Sequence, residues 1–202
     1  PLFRSIDYKF YDIAANMMDD SIQSIQIAPN GVVTEIYPEE GNVSGKIDLI
    51  NDSDRGEISR YARDNDTVIM QGTFELKQGG YGIAVRNPVY LKNENGQKSF
   101  WGFTIVILKV PEIFSDSVEA LSSFGYKYSL QKCASPWDDT YEWVYGSKEE
   151  LNNPVIYDFD VYGDKWRLEI LPKSGFYNNK YLIYMFIGGG VIVLLLAGLT
   201  AA

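Results

Sequence analysis

The sequence predicts an α/β chain of the α+β kind: a leading helix, two antiparallel sheet units in succession, and a closing uncharged helix. Three observations carry this. Apolar side chains recur every three or four residues from Phe3 to Met17, as on one stripe of a helix. Through the middle they alternate in short runs separated by Gly, Asn and Pro, as in strands and turns. From Tyr181 to Ala202 no residue carries a charge.

The leading stripe, Phe3, Ile6, Phe10, Ile13 and Met17, is a heptad seam. It is either the packed face of a helix on its own domain or the end of a dimerising stalk. Next, Ile25 and Ile27 face Val32, Val33 and Ile36 across the turn Ala28-Pro29-Asn30-Gly31, which predicts a hairpin. Tyr37 to Gly45 is a loop by its turn residues. Asp54 to Asp64 predicts a polar helix with Ile58, Tyr61 and Ala62 on one face. Three strands follow, Thr67 to Leu76, Ile83 to Leu91 and Phe100 to Leu108, divided by Gln78-Gly79-Gly80 and Asn93 to Gly96. On the last of these, alternation makes Trp101 and Phe103 point together. Pro111 to Ser122 reads as a helix. Tyr126 to Gln131, Glu142 to Tyr145, Ile156 to Val161 and Trp166 to Leu171 are four more short strands. Two strands, a helix, then three strands is the order of a PAS-like antiparallel sheet. The predicted division is 1–20, a stalk helix end; 21–122, a membrane-distal PAS-like unit; 123–178, a smaller membrane-proximal one; and 181–202, a transmembrane helix.

About 20 apolar residues cross the hydrocarbon core as a helix, and the run from Tyr181 is of that length. Lys173 and Lys180 flank its start, and Tyr181 and Tyr184 suit the interface. Residue 1 is a proline and nothing at the amino end resembles a signal sequence, so truncation on both sides is expected.

Composition narrows the function. With 202 residues, 46% hydrophobic and 22% charged, the chain is folded and holds one large domain or two small ones. A net charge of −9 leaves no basic stripe for nucleic acid or for an anionic membrane surface. A locally positive pocket remains compatible with an acidic protein. Cys133 is the single cysteine, so no intramolecular disulfide forms. There is no histidine, which removes the usual general base, zinc ligand and nucleophile partner and weighs against hydrolases. The acidic pairs Asp19-Asp20, Glu39-Glu40 and Asp138-Asp139 lack calcium-loop spacing and read as solvated faces. The glycines at 79, 80 and 82 feed a strand and lack the lysine of a phosphate loop. No metal and no cofactor is expected. The triplets at Asn42, Asn51 and Asn65 arise often by chance and carry no weight.

The runs IAPNGVV at 27–33, YPEEGN at 37–42, GYGIAVRNPVYL at 80–91, FWGF at 100–103 and GYKY at 125–128 resemble, in order and approximate spacing, the CHASE domain. That is the extracellular sensor module of bacterial diguanylate cyclases and histidine kinases and of plant cytokinin receptors. The resemblance implies a stalk helix and two PAS-like units, with a small-molecule ligand bound in the distal one. It implies residues 1–180 outside the cytoplasm, anchorage in the lipid bilayer, a homodimer through the stalk, and no catalysis in this segment. The output would be a cytoplasmic enzyme, a diguanylate cyclase or a histidine kinase.

With period two, Gly82, Ala84 and Arg86 share one face of their strand and Ile83 and Val85 the other. Two small residues beside one guanidinium suit a pocket for an anionic or carboxylate-bearing ligand, because arginine offers a bidentate fork. Equally, Gly82 marks a bulge and Arg86 pairs with a structural carboxylate. By the resemblance, Arg86 falls at a pocket-floor position that is a threonine in the plant receptors, and the change argues against an adenine-type ligand. Asp54 falls where the family places a carboxylate that hydrogen-bonds its ligand; a solvated aspartate at a helix start is the alternative. Phe74, Leu76 and Tyr81 would supply apolar or stacking walls. The competing functions are a membrane-tethered protein-binding or adhesion module, which needs an exposed apolar patch and no enclosed pocket, and an ectoenzyme using two facing carboxylates.

Overall fold

The computed structural model describes residues 2–40, 47–176 and 179–200, with side chains for 9–40, 47–176, Tyr181 and 183–192. Asn42, the loop end at Gly45, Ala201, Ala202 and the side chains of Phe3 and Ile6 lie outside the described residues.

Helix α1 spans Leu2–Met17. It buries Ala14 and leaves Ile13 and Met17 exposed. The Tyr11 hydroxyl donates to Glu39 Oε1 at 2.6 Å and lies 2.9 Å from Glu35 Oε2. The helix therefore packs through Ala14 and Tyr11 with Phe10 half-buried, while Ile13 and Met17 of the seam stay exposed.

The first sheet contains β1 (Ile22–Pro29), β2 (Glu35–Tyr37), β3 (Ile69–Glu75), β4 (Tyr81–Lys92) and β5 (Lys98–Val110), in the order β2-β1-β5-β4-β3. All its pairings are antiparallel. The first hairpin is looser than the alternation predicts. Val32 and Val33 leave the strand: Val32 sits opposite Asp48 in an isolated bridge, Val33 N–H donates to the Ile47 carbonyl, and β2 begins only at Glu35. Helix α2, Gly56–Asn65, lays Ile58 and Ala62 on one face of the sheet, among Ala28, Val33, Ile36, Ile69, Ala84 and Phe103. The sequence places Trp101 with Phe103, but a bulge intervenes. Val89 pairs with Gly102 and Tyr90 with Phe100, so Trp101 is the extra residue and Phe100 packs on Phe103 at 5.0 Å.

A 3-10 turn, Glu112–Phe114, and α3, Ser115–Ser123, replace the single helix expected after Pro111. The second sheet holds β6 (Tyr126–Cys133), β7 (Tyr141–Gly146), β8 (Val155–Val161) and β9 (Asp164–Pro172), in the order β7-β6-β9-β8. Its Leu130, Val144 and Trp166 form one core with Met70, Ile83 and Val110 on the far face of the first sheet. The first sheet is thus buried on both faces.

Helix α4 spans Asn179–Thr200, and its described apolar side chains, Ile183 to Ile187 and Val191 to Ile192, are all exposed. Among the described residues no helix is long and apolar enough to cross a membrane.

Candidate functional site: a cavity over the first sheet

Antiparallel partners share a face, so the pairings define rows across the sheet. One row runs Ile36, Gln26, Ile105, Arg86, Ile69 through β2, β1, β5, β4 and β3. The next runs Ser24, Ile107, Ala84, Gln71 through β1, β5, β4 and β3. Apart from Ile69, these rows floor a cavity of about 590 Å³ that is flanked by Asp54, Arg55, Ile47, Phe74 and Leu76 and stays open to solvent. The small side chains Ser24 and Ala84 leave the space, and the long ones on either side of them reach into it.

Arg86 is 2% exposed, and its Nε and Nη1 have no hydrogen-bond partner. No carboxylate among the described residues forms an ion pair with it. Burial pushes its pKa down to about 10; nearby Arg55 adds to this and Asp52 opposes it. Arg55 itself is paired with Asp52 at 2.8 Å, so its charge is partly answered and that of Arg86 is not.

Gln71 completes the polar set. Its Nε2 donates to the Asp54 carbonyl at 3.0 Å, leaving Oε1 buried and unpartnered. The cavity wall thus holds two free guanidinium donors and one free carbonyl acceptor. Such a wall matches a molecule that brings an anionic acceptor together with an N–H or O–H donor.

Of the side chains singled out from the sequence, Arg86, Ala84, Asp54, Phe74 and Leu76 line the cavity. The Asp54 side chain is exposed and accepts from Ser53 Oγ at 3.0 Å. Gly82 does not reach the cavity, because a Cβ there would come within 2.7 Å of Leu76: the leucine takes the volume that the glycine vacates. Tyr81 lies on the opposite face, its ring 5.8 Å from that of Trp143 in the core between the sheets. Period two requires this, since Tyr81 alternates with Gly82. Ser24, Gln26, Gln71 and Arg55 are among the polar lining residues that sequence reasoning missed. For the strand residues Ser24, Gln26 and Gln71 the available signal was alternation with Ile25, Ile27 and Met70; Arg55, just before α2, offered none.

A five-stranded antiparallel sheet with a part-polar cavity on one face and a second, four-stranded sheet on the other makes an α+β domain. The family model of the CHASE domain matches residues 11–133, and the chain belongs to that family. It is therefore a sensor domain.

Among solved structures, the chain is similar to an extracellular ligand binding receptor from Desulfohalobium retbaense, with 13% identity and a TM-score of 0.50. The match covers 75% of this chain and 30% of that one, so the chain spans less than a third of that receptor. It also matches the ligand binding domain of the Pseudomonas aeruginosa amino acid chemoreceptor PctC, in complex with GABA, at 13% identity and a TM-score of 0.48 over 74% of each chain. No curated protein matches.

Proposed function

We propose that the cavity over the first sheet binds a small ligand through an anionic group held by Arg86, and that the domain reports this binding across a membrane. The observation that carries the reading is the buried guanidinium without a carboxylate partner. A charge removed from water without compensation is unfavourable, and a ligand carboxylate supplies the compensation. Gln71 Oε1 and the Asp54 carboxylate accept from a donor on the same ligand. Ala84 and Ser24 leave room, and Phe74 and Leu76 shield the site.

The remaining parts follow from family membership and from the uncharged run. The segment 181–202 anchors the chain in the bilayer, and 1–180 lie outside the cytoplasm. Helix α1, with Ile13 and Met17 exposed on its seam, pairs with a second copy as a stalk. The output beyond the membrane is an enzyme, a diguanylate cyclase or a histidine kinase. The ligand acts by binding one packing of the units more tightly than another.

The cavity speaks against the adhesion module. The ectoenzyme is disfavoured because the carboxylates on the wall, Asp54 and Glu75, are both exposed, whereas an acid raised for catalysis needs burial.

The test is a thermal-shift screen of the full chain in detergent against carboxylate-bearing and neutral polar metabolites, repeated with Arg86→Gln and Gln71→Leu. Carboxylates should stabilise the parent chain, and Arg86→Gln should lose at least about tenfold in affinity. A hit that binds Arg86→Gln as well as it binds the parent sinks the assignment.

A further inference from the structure

A second cavity, of about 360 Å³, lies between the two sheets beneath α3. Its wall is contributed by Met70 and Ile83 of the first sheet, Val118 and Leu121 of α3, and Leu130 and Trp166 of the second sheet. No charged side chain lines it; the polar side chains on the wall are Ser117, Tyr128 and Trp166.

Two features set this space apart from a packing defect. First, protein interiors pack densely, and an apolar cavity of about 150 Å³ already stays dry and binds benzene. This space is larger and opens to solvent beside α3, which buries none of its own residues although Val118 and Leu121 face it. A helix packed fully on a core would bury such a stripe. Second, Trp166 is 4% exposed and its Nε1 has no hydrogen-bond partner. An indole N–H is a donor only, so its missing partner must be an acceptor.

We propose that this space is a second binding site, for an uncharged, largely apolar small molecule that carries one hydrogen-bond acceptor for Trp166. The absence of charge on the wall excludes an anion or a cation, since nothing there would offset its desolvation. The site is independent of what the first cavity holds. The two share strands, however: Met70 and Ile83 are the chain neighbours of Gln71 and Ala84, on the reverse face of β3 and β4. An occupant touching both sheets therefore bears on how the two units pack.

The probe is acetophenone, an aromatic ketone, added to the full chain in lipid nanodiscs. The readout is the 15N–1H signal of the Trp166 indole, identified among the 4 tryptophans by its loss in Trp166→Phe. Acetophenone should shift that signal saturably. Ethylbenzene, of similar shape but without the acceptor, should bind at least about threefold more weakly, and benzoate should leave the signal unmoved. Val118→Trp, whose indole fills the space, should abolish the saturable response; Leu121→Phe reads the same if that variant fails to fold. No saturable shift in the parent chain, or the same shift in the filled variants, overturns the proposal.

Discussion

Asp164, at the head of β9, accepts a 2.7 Å hydrogen bond from the main-chain N–H of Met70 in β3, tying the second sheet to the first. Its other oxygen lies 3.5 Å from Lys132 Nζ, and both side chains are 1% exposed. Lys132 Nζ also donates to the Cys133 carbonyl at 2.7 Å. Burial drives the aspartate pKa up and the lysine pKa down, each against the attraction of its partner. The bond holds β3 at the residue next to Gln71, so this clamp lies one residue from the wall of the first cavity.

Asp164→Ala should therefore lower stability by about 3–5 kcal/mol, because it strands a buried lysine and a main-chain N–H together. Asp164→Asn combined with Lys132→Met removes both charges and keeps an acceptor for Met70. That double variant should recover most of the loss in urea unfolding. Equal instability of the two variants would show that the charge pair is not what the single substitution breaks.

Arg86→Met should raise stability while removing ligand binding. A methionine of similar length fills the space without a desolvated charge, for a gain of about 1–2 kcal/mol. In a chain of this size that corresponds to roughly 2–8 °C in the melting temperature. A structural role for Arg86 predicts the opposite sign, so one thermal melt decides between the two.

Acid should weaken the loop before α2. Hydrogen bonds from the Asn51 side chain, and then from the main-chain N–H groups of Asn51 and Ile50, hold the Asp48 carboxyl below its ordinary 3.8. The folded pKa is depressed, so the stabilisation is present above the ordinary value and is lost as pH falls through the folded one. Asp48→Asn should flatten the fall in stability below about pH 4, as measured by urea midpoints across pH. An unchanged acid limb would remove Asp48 from the account.

Gly102→Ala should destabilise the first sheet. A Cβ there would collide with the Ala28 carbonyl and come within 2.8 Å of Pro29 Cα, both of them backbone atoms that cannot turn aside. The expected loss is about 1–3 kcal/mol by denaturant unfolding, and a neutral result would mean that the bulge at Trp101 relaxes freely.

Much of the fold was legible because strand and helix periods are local. The strands of β4 and β5, the α2 stripe of Ile58 and Ala62, and the shared face of Ala84 and Arg86 follow from spacing alone. The errors arise where a non-local contact overrides the period. Val33 leaves its strand for Ile47, and Trp101 bulges. Tyr81 was assigned to the cavity against the alternation that sends it to Trp143.

By itself the sequence determined the element types, the side of β4 that carries Arg86, and the uncharged run after Lys180, each set by neighbours a few residues apart. Tertiary structure alone decided that Arg86 is buried without a carboxylate partner among the described residues, that Gln71 Oε1 is left free on the same cavity wall, and that Leu76 covers Gly82. It alone joined Asp164 to Met70 and Lys132, and opened the apolar space beneath α3. These depend on which side chains from distant segments fill a shared volume, and no local period encodes that.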